Sequence, residues 1–209
     1  MQQCDSAVLR SASDFEMRRV ILLRHGATEA NEAGLYCGST DIPLSKAGKD
    51  ELNRLRQTLR YPEIDGLRVY TSGMRRTEET LETLYGAVPH EAIPAFAEMN
   101  FGRFEMKSYE SLKHEPNYIR WCSGENEKNR CPGGESGEEM VRRVLTQWKR
   151  MKGDFLLVAH GGTVAAIMAE LFPEEGKSRY EWQPKNGRGY LLTCTDAGWE
   201  RILLPEAIQ

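Results

Sequence analysis

Apolar residues along this chain follow two periods. Short unbroken runs, Val20-Ile21-Leu22-Leu23 and Phe155-Leu156-Leu157-Val158, end in polar residues and glycine and read as strands buried on both faces. Leu67-Arg68-Val69-Tyr70 reads as a further parallel strand. Between these runs the apolar positions recur three and four apart. Ser45 can cap a helix over roughly 46–60 with Leu52, Leu55 and Leu59 on one face, ended by Pro62 and Gly66. Ser72 can cap a second helix, whose stripe runs through Leu81, Leu84 and Tyr85 and stops at Gly86 and Pro89. A short strand is predicted at 91–95 and short helices after Ser108 and Pro116, the latter carrying Tyr118, Ile119 and Trp121. Residues 124–134 are polar and read as a lid or rim loop. Ser136 with Glu139 forms a capping box for a helix to about Met151. A strand at 154–159, a helix at 162–172 and two strands at 189–194 and 199–204 complete the pattern.

Strands alternating with helices predict an α/β fold: a three-layer sandwich with a mostly parallel central sheet and helices on both faces. The 209 residues fit a single domain over 18–209, with a helical cover at about 96–135. Residues 1–17 lack any sustained period and read as a loose extension, with Met17 an alternative start. A net charge of −3 gives no pull towards nucleic acid or an anionic membrane. No stretch is apolar enough to span a bilayer, and the first residues lack the apolar core of a signal peptide. Five scattered cysteines form no disulfide framework, so the expected compartment is the cytoplasm.

The chemistry concentrates where strands end. Arg24-His25-Gly26 follows the first apolar run, and Ala159-His160-Gly161-Gly162-Thr163 follows another. Loops at the carboxyl ends of strands are where open α/β sheets bind ligands. A phosphoryl dianion stripped of water needs several convergent donors, and the arginine fork supplies them best. Arg24 and Arg76, each just past a strand, are candidates, with Arg75 as the alternative to Arg76. A neutral imidazole can attack phosphorus, and neighbouring arginine charges disfavour the imidazolium. His160 can donate to the phosphoryl oxygens, and Gly161 and Gly162 can add backbone N–H groups at a helix start. The leaving oxygen needs a proton, which places Glu98, Glu105 and Glu29 in contention.

Several longer segments carry a resemblance. Arg24 to Asn31, Cys37-Gly38 through Gly48, Ser72 to Thr80, Glu98 to Glu105, Pro132-Gly133-Gly134-Glu135-Ser136 and His160-Gly161 stand in the order seen in the histidine phosphatase superfamily, also called phosphoglycerate-mutase-like. The chain resembles that family from about Arg19 to Val164. The resemblance implies the phosphoglycerate-mutase-like fold, His25 as nucleophile, and Arg24, Arg76 and His160 as catalytic phosphate-binding groups. It also implies Glu98 as the general acid and Asn31, Cys37, Gly38 and Gly161 as further phosphate contacts. Cys37 stands where relatives usually carry Ser or Thr, and a thiol is a weaker donor. No cofactor and no metal is implied; His25, His90, His114 and His160 have no metal-ligand spacing with any Cys.

Three functions stay open. The compact segment after Glu98 looks most like the α-ribazole phosphatases of cobalamin assembly, whose substrate is a small phosphate ester, α-ribazole 5'-phosphate; sugar-phosphate phosphatases look much alike. A mutase-type phosphotransferase and a non-enzymatic phospholigand-binding module are the alternatives. The spacing of Cys4 to Arg10 matches a cysteine phosphatase loop but has no strand before it, and Gly176-Lys177-Ser178 reads as a surface turn.

Overall fold

The computed structural model describes residues 18–207; the N-terminal extension read over 1–17 lies outside the described residues. Its strands are β1 (Arg18–Arg24), β2 (Leu59–Arg60), β3 (Arg68–Thr71), β4 (Glu91–Ala92), β5 (Phe155–Ala159), β6 (Gly189–Thr195), β7 (Gly198–Leu204) and β8 (Glu206–Ala207). Its helices are α1 (Glu29–Glu32), α2 (Lys46–Thr58), α3 (Arg75–Tyr85), α4 (Tyr109–Leu112), α5 (Pro116–Cys122), α6 (Gly137–Trp148) and α7 (Gly161–Leu171).

The main sheet is six-stranded, in the order β4-β3-β5-β1-β6-β7. The first four are parallel, while β6 and β7 run antiparallel at one edge. All of β5 and the middle of β1 are buried, which is why their sequences are continuously apolar rather than alternating. Successive residues still divide between two cores. Val20, Leu22, Phe155 and Leu157 pack with α6 and α7 on one face, and Ile21, Leu23, Leu156 and Val158 pack with α2 and α3 on the other. That division makes three layers.

Register places the site. Arg24 lies opposite Ala159, and Thr71 lies opposite Val158. The chain therefore leaves β1 at His25, β3 at Ser72 and β5 at His160 on one rim of the sheet. Over that rim sits the cover, built from 3-10 turns at Pro94–Phe96, Gly102–Phe104 and Asn126–Lys128 together with α4 and α5. It is held by aromatic packing among Tyr36, Phe101, Phe104, Tyr118 and Trp121.

Some elements differ from the sequence reading. α2 ends at Thr58 because Leu59–Arg60 pairs with β8, a partner almost at the other end of the chain. The strand predicted at 91–95 pairs only at Glu91 and Ala92 before Pro94 turns the chain. Ser72 does not cap α3; Met74 occupies the cap position without a side-chain bond, and the Ser72 hydroxyl goes to His160. The capping box at Ser136 and Glu139 is present, but α6 stops at Trp148. Among the described residues no helix is long and apolar enough to cross a membrane.

Gly48 shows how tightly α2 presses on the loop after His25. A Cβ there would lie 2.1 Å from the Ala27 carbonyl oxygen. Helix propensity alone makes Gly48→Ala stabilising by about 0.5–1 kcal/mol. The clash reverses the sign: we expect a loss of about 1–3 kcal/mol, read from the denaturant midpoint. A stabilised variant would contradict the close approach.

Candidate active site

Three strand ends and one cover segment bring the predicted residues together. His25 is 5% exposed and His160 is fully buried, with their rings edge to face and centroids 5.2 Å apart. The Nδ1 of His25 lies 2.6 Å from the Gly26 carbonyl oxygen. A carbonyl only accepts, so Nδ1 carries the proton and Nε2 keeps its lone pair. Asn186 fixes this turn from the far side, donating to the carbonyls of His25 and Gly26.

Arg76 is 1% exposed, and among the described residues no carboxylate is within hydrogen-bonding distance of its guanidinium. It donates to the carbonyls of Thr40 (2.9 Å) and Gly38 (2.7 Å) and, through Nε, to Nδ1 of His160 (3.3 Å). His160 is thereby the tautomer protonated at Nε2, which donates to the Ser72 hydroxyl at 2.8 Å. Thr80 closes the group, donating to the Arg76 carbonyl and accepting from the N–H of Gly26. Arg24 donates to the Pro184 carbonyl, and its buried Nε has no hydrogen-bond partner among the described residues.

Burial holds both imidazoles well below the ordinary histidine pKa. For His25 the charges of Arg76 and Arg24 push the same way; for His160 the neighbouring His25 ring and the same arginines do. Burial also lowers Arg24 and Arg76, partly offset at Arg24 by Glu98.

Arg24 opens onto a cleft of about 430 Å³ that is also lined by Asn31, Cys37, Glu98, Gly162 and the aromatic cover. Asn31 spends its carbonyl oxygen on Thr28 and Asn186, which leaves its amide N–H groups for the cleft. One Glu98 oxygen accepts the N–H of Gly162 at the start of α7, and the other accepts the N–H of Met99, both at 2.9 Å. A wider groove of about 620 Å³, lined by Val141, Leu145, Ala166 and Ala169, lies outside α6 and α7 and holds neither imidazole.

Other candidates are engaged elsewhere. The Gly38 N–H donates to Glu105, so in this arrangement it is not a free phosphate contact. The Gly162 N–H is taken by Glu98. The Cys37 thiol bonds the Thr40 carbonyl, and burial raises its pKa. Glu29 is exposed at the start of α1. Glu105 accepts from the backbone or hydroxyl groups of Gly38, Ser39, Thr40 and Phe101. Burial by itself would raise its pKa, but these donors outweigh it and hold the group ionised, below the usual carboxylate value. Glu105 thus shapes the loop that carries the Gly38 and Thr40 carbonyls. Asn186 was not singled out in the sequence.

The comparison with known proteins agrees with this geometry. The profile of the Histidine phosphatase superfamily (branch 1) matches residues 20–205. The chain belongs to that superfamily. It is 32% identical to the adenosylcobalamin/alpha-ribazole phosphatase of Salmonella typhimurium over 179 residues, covering 81% of this chain and 87% of that one. It is 33% identical to the 6-phosphofructo-2-kinase/fructose-2,6-bisphosphatase 1 of Mus musculus over 156 residues, 73% of this chain but 32% of that longer protein. The crystal structure of the alpha-ribazole phosphatase from Shigella flexneri is similar, with a TM-score of 0.75 at 27% identity, covering 91% of this chain and 98% of that one. The family resemblance read from the motifs is shown, and so is the phosphoglycerate-mutase-like fold.

The buried imidazoles set a pH signature. In ring ¹⁵N spectra, His25 should remain the neutral Nδ1–H tautomer well below pH 6.5; an inflection near 6.5 would contradict it. Below about pH 6.5 the unfolded chain binds protons that the folded chain refuses, so each buried ring makes stability fall as pH drops. His90 has the opposite sign. Its pKa is raised chiefly by its bond to the Val88 carbonyl, so its stabilisation is present at low pH and lost as pH rises. The stability comparison therefore belongs in a His90→Gln background.

Proposed function

We propose that this protein is a phosphomonoesterase that forms a phosphohistidine on His25. The observation that carries the proposal is the orientation of the His25 ring. Its Nδ1–H is tied to Gly26, its Nε2 is free, and it stands among Arg24, Arg76 and His160. In the proposed reaction Nε2 attacks phosphorus, the P–O bond to the alcohol breaks, and Glu98 gives the leaving oxygen its proton. Water then attacks phosphorus and gives a proton to Glu98; the P–N bond breaks with its electron pair returning to Nε2, and phosphate is released. Arg24, Arg76 and the Asn31 amide meet the charge on the phosphoryl oxygens. His160 holds Arg76 in place; for it to donate to a phosphoryl oxygen it must exchange one of its present partners. These groups supply the positive charge that a metal ion would otherwise bring, so we propose turnover without metal.

The substrate proposed is α-ribazole 5'-phosphate. Tyr36, Phe101 and Trp121 form a ring-lined wall suited to a flat heteroaromatic base, and Asn126, Arg179 and Gln183 offer polar contacts for a sugar. Two relatives named above carry alpha-ribazole phosphatase in their names. A panel of phosphomonoesters that includes this compound tests the choice. Equal turnover across simple alkyl esters would argue against it, and dependence on a bisphosphorylated primer would point to a phosphotransferase.

His25→Ala should lose at least about a thousandfold in turnover and fail to trap a phosphoryl label after quenching in base, because removing the attacking atom removes the covalent route. Wild-type turnover should survive a chelator. A label retained on the variant would exclude His25 as nucleophile.

Glu98→Gln should slow alkyl phosphates about 10- to 100-fold more than p-nitrophenyl phosphate, whose leaving group departs with little protonation. Equal losses on both would move the acid elsewhere. Inhibition by inorganic phosphate, measured on the same variant, separates loss of the proton from a disturbed site.

A further inference from the structure

The Pro132-Gly133-Gly134-Glu135-Ser136 segment is absent from the chemistry above, yet its Glu135 has a specific partner. Arg143, two turns into α6, spends all five of its N–H groups. Nε and one terminal nitrogen grip Glu135 at 3.0 and 2.9 Å. The other terminal nitrogen donates to the carbonyls of Ala95 (2.9 Å) and Ala97 (3.1 Å), and the last N–H reaches the carbonyl of Glu98 itself at 3.4 Å. Glu135 in turn accepts the N–H of Asn100 at 3.0 Å. From the opposite side the buried Thr163 hydroxyl meets the carbonyls of Phe96 and Ala97.

The backbone from 95 to 100 is thus gripped on both sides of the acid. This matters because the Glu98 carboxyl is aimed through its own backbone. One oxygen takes the Met99 N–H and the other takes Gly162, where a Cβ would sit 2.3 Å from the carboxylate. A shift of the 97–99 backbone moves the carboxyl relative to His25. The segment has no regular ladder to hold it, so its carbonyls depend on side-chain donors. Only a planar five-donor fork can serve three carbonyls and a carboxylate together; a lysine cannot. Glu135 is fit for its part. Burial alone would raise its pKa, but Arg143 and the Asn100 N–H overcome that and keep it ionised. The glycines of the motif bring the two loops into contact: a Cβ at position 134 would lie 2.2 Å from the Asn100 carbonyl.

We propose that Arg143, locked by Glu135, is a positioning residue for proton transfer: it fixes the carbonyls of Ala95, Ala97 and Glu98 and so sets where the acid points. The proposal rests on the reading of Glu98 as proton donor. A merely structural arginine would lower turnover of every ester alike, whereas a residue acting through the acid must impose the acid's leaving-group dependence.

The test compares Arg143→Gln, Arg143→Lys, Glu98→Gln and the double variant Glu98→Gln/Arg143→Gln. It measures kcat on p-nitrophenyl phosphate and on a simple alkyl phosphate, and inhibition by inorganic phosphate. Arg143→Gln should lose at least about tenfold more on the alkyl ester than on the aryl ester, with phosphate inhibition changed less than about threefold. Arg143→Lys, which keeps the charge without the fork, should shift the same way. The double variant should show no more selectivity than Glu98→Gln alone, because both act through one proton. Equal losses on both esters, or selectivities that multiply in the double variant, would overturn the proposal while leaving Glu98 as the acid. No selectivity in Glu98→Gln would overturn the acid reading and the proposal together. Circular dichroism confirms folding, and if Arg143→Gln does not fold, Arg143→Lys carries the comparison under the same criteria.

Discussion

A guanidinium sealed from water without a carboxylate beside it is the constraint around which this molecule is built. Arg76 is held by two carbonyls and one imidazole nitrogen, with acidic groups acting on it only through space. Burying such a charge is costly unless it is hydrogen-bonded, and even then the bonds compensate only in part. The residual cost stays with the folded protein, and in the reaction proposed above an arriving dianion would relieve it. The same burial removes protons from the two imidazoles. One physical cause therefore leaves a buried cation without a counter-charge in contact and both imidazoles unprotonated, the two features on which the proposed function rests.

That constraint accounts for much of the surrounding structure. The Gly38 and Thr40 carbonyls can face Arg76 because Glu105 gathers the N–H groups of the same loop, and Gly38 passes there because a Cβ would lie 1.6 Å from the Met99 carbonyl oxygen. His160 can accept from Arg76 because Ser72 takes the hydrogen on its other nitrogen. The carboxylates nearest the cleft are thus divided by their partners. Glu105 and Glu135 are consumed by dense sets of donors and fixed as anions, whereas Glu98 accepts only two backbone N–H groups and lines the cleft.

The parts legible in the sequence were those set by local chemistry. Strand β5 showed as an apolar run because both its faces are buried, and α6 announced itself through the Ser136–Glu139 box. The Arg24, His25, Arg76 and His160 set could be read because each stands at the end of a strand or within a few residues of it. What was hidden depends on contacts distant in sequence. The pairing of Leu59 with Ala207 cut α2 short, and Ser72 left its expected capping role for a histidine 88 residues away. Glu105 reads as a rival acid until its donors are counted, and Asn186 carries no sequence signal; its role shows only in its amide on the His25 carbonyl. Gly38 and Gly162 looked like anion-binding N–H groups because a glycine shows where backbone is approached, but not by what; here carboxylates approach it.

The site divides into two halves that meet at few points. The sheet rim carries His25, His160 and the two arginines, fixed by parallel register. The cover carries the acid and the aromatic wall, fixed by the Arg143–Glu135 clamp and by close passage of glycines. Demands on the two halves differ: a phosphoryl group is the same in every ester, while the alcohol varies. On the proposed reaction, a rim braced separately from the cover would let leaving-group recognition change without disturbing His25. Hydrogen bonds join the halves at the start of the helix that follows His160: the Glu98 carboxylate accepts the Gly162 N–H, and the Thr163 hydroxyl donates to the carbonyls of Phe96 and Ala97. Through these bonds the Glu98 carboxylate is referenced to the rim, so the bracing of the backbone on either side of Glu98 fixes where that carboxylate sits relative to His25.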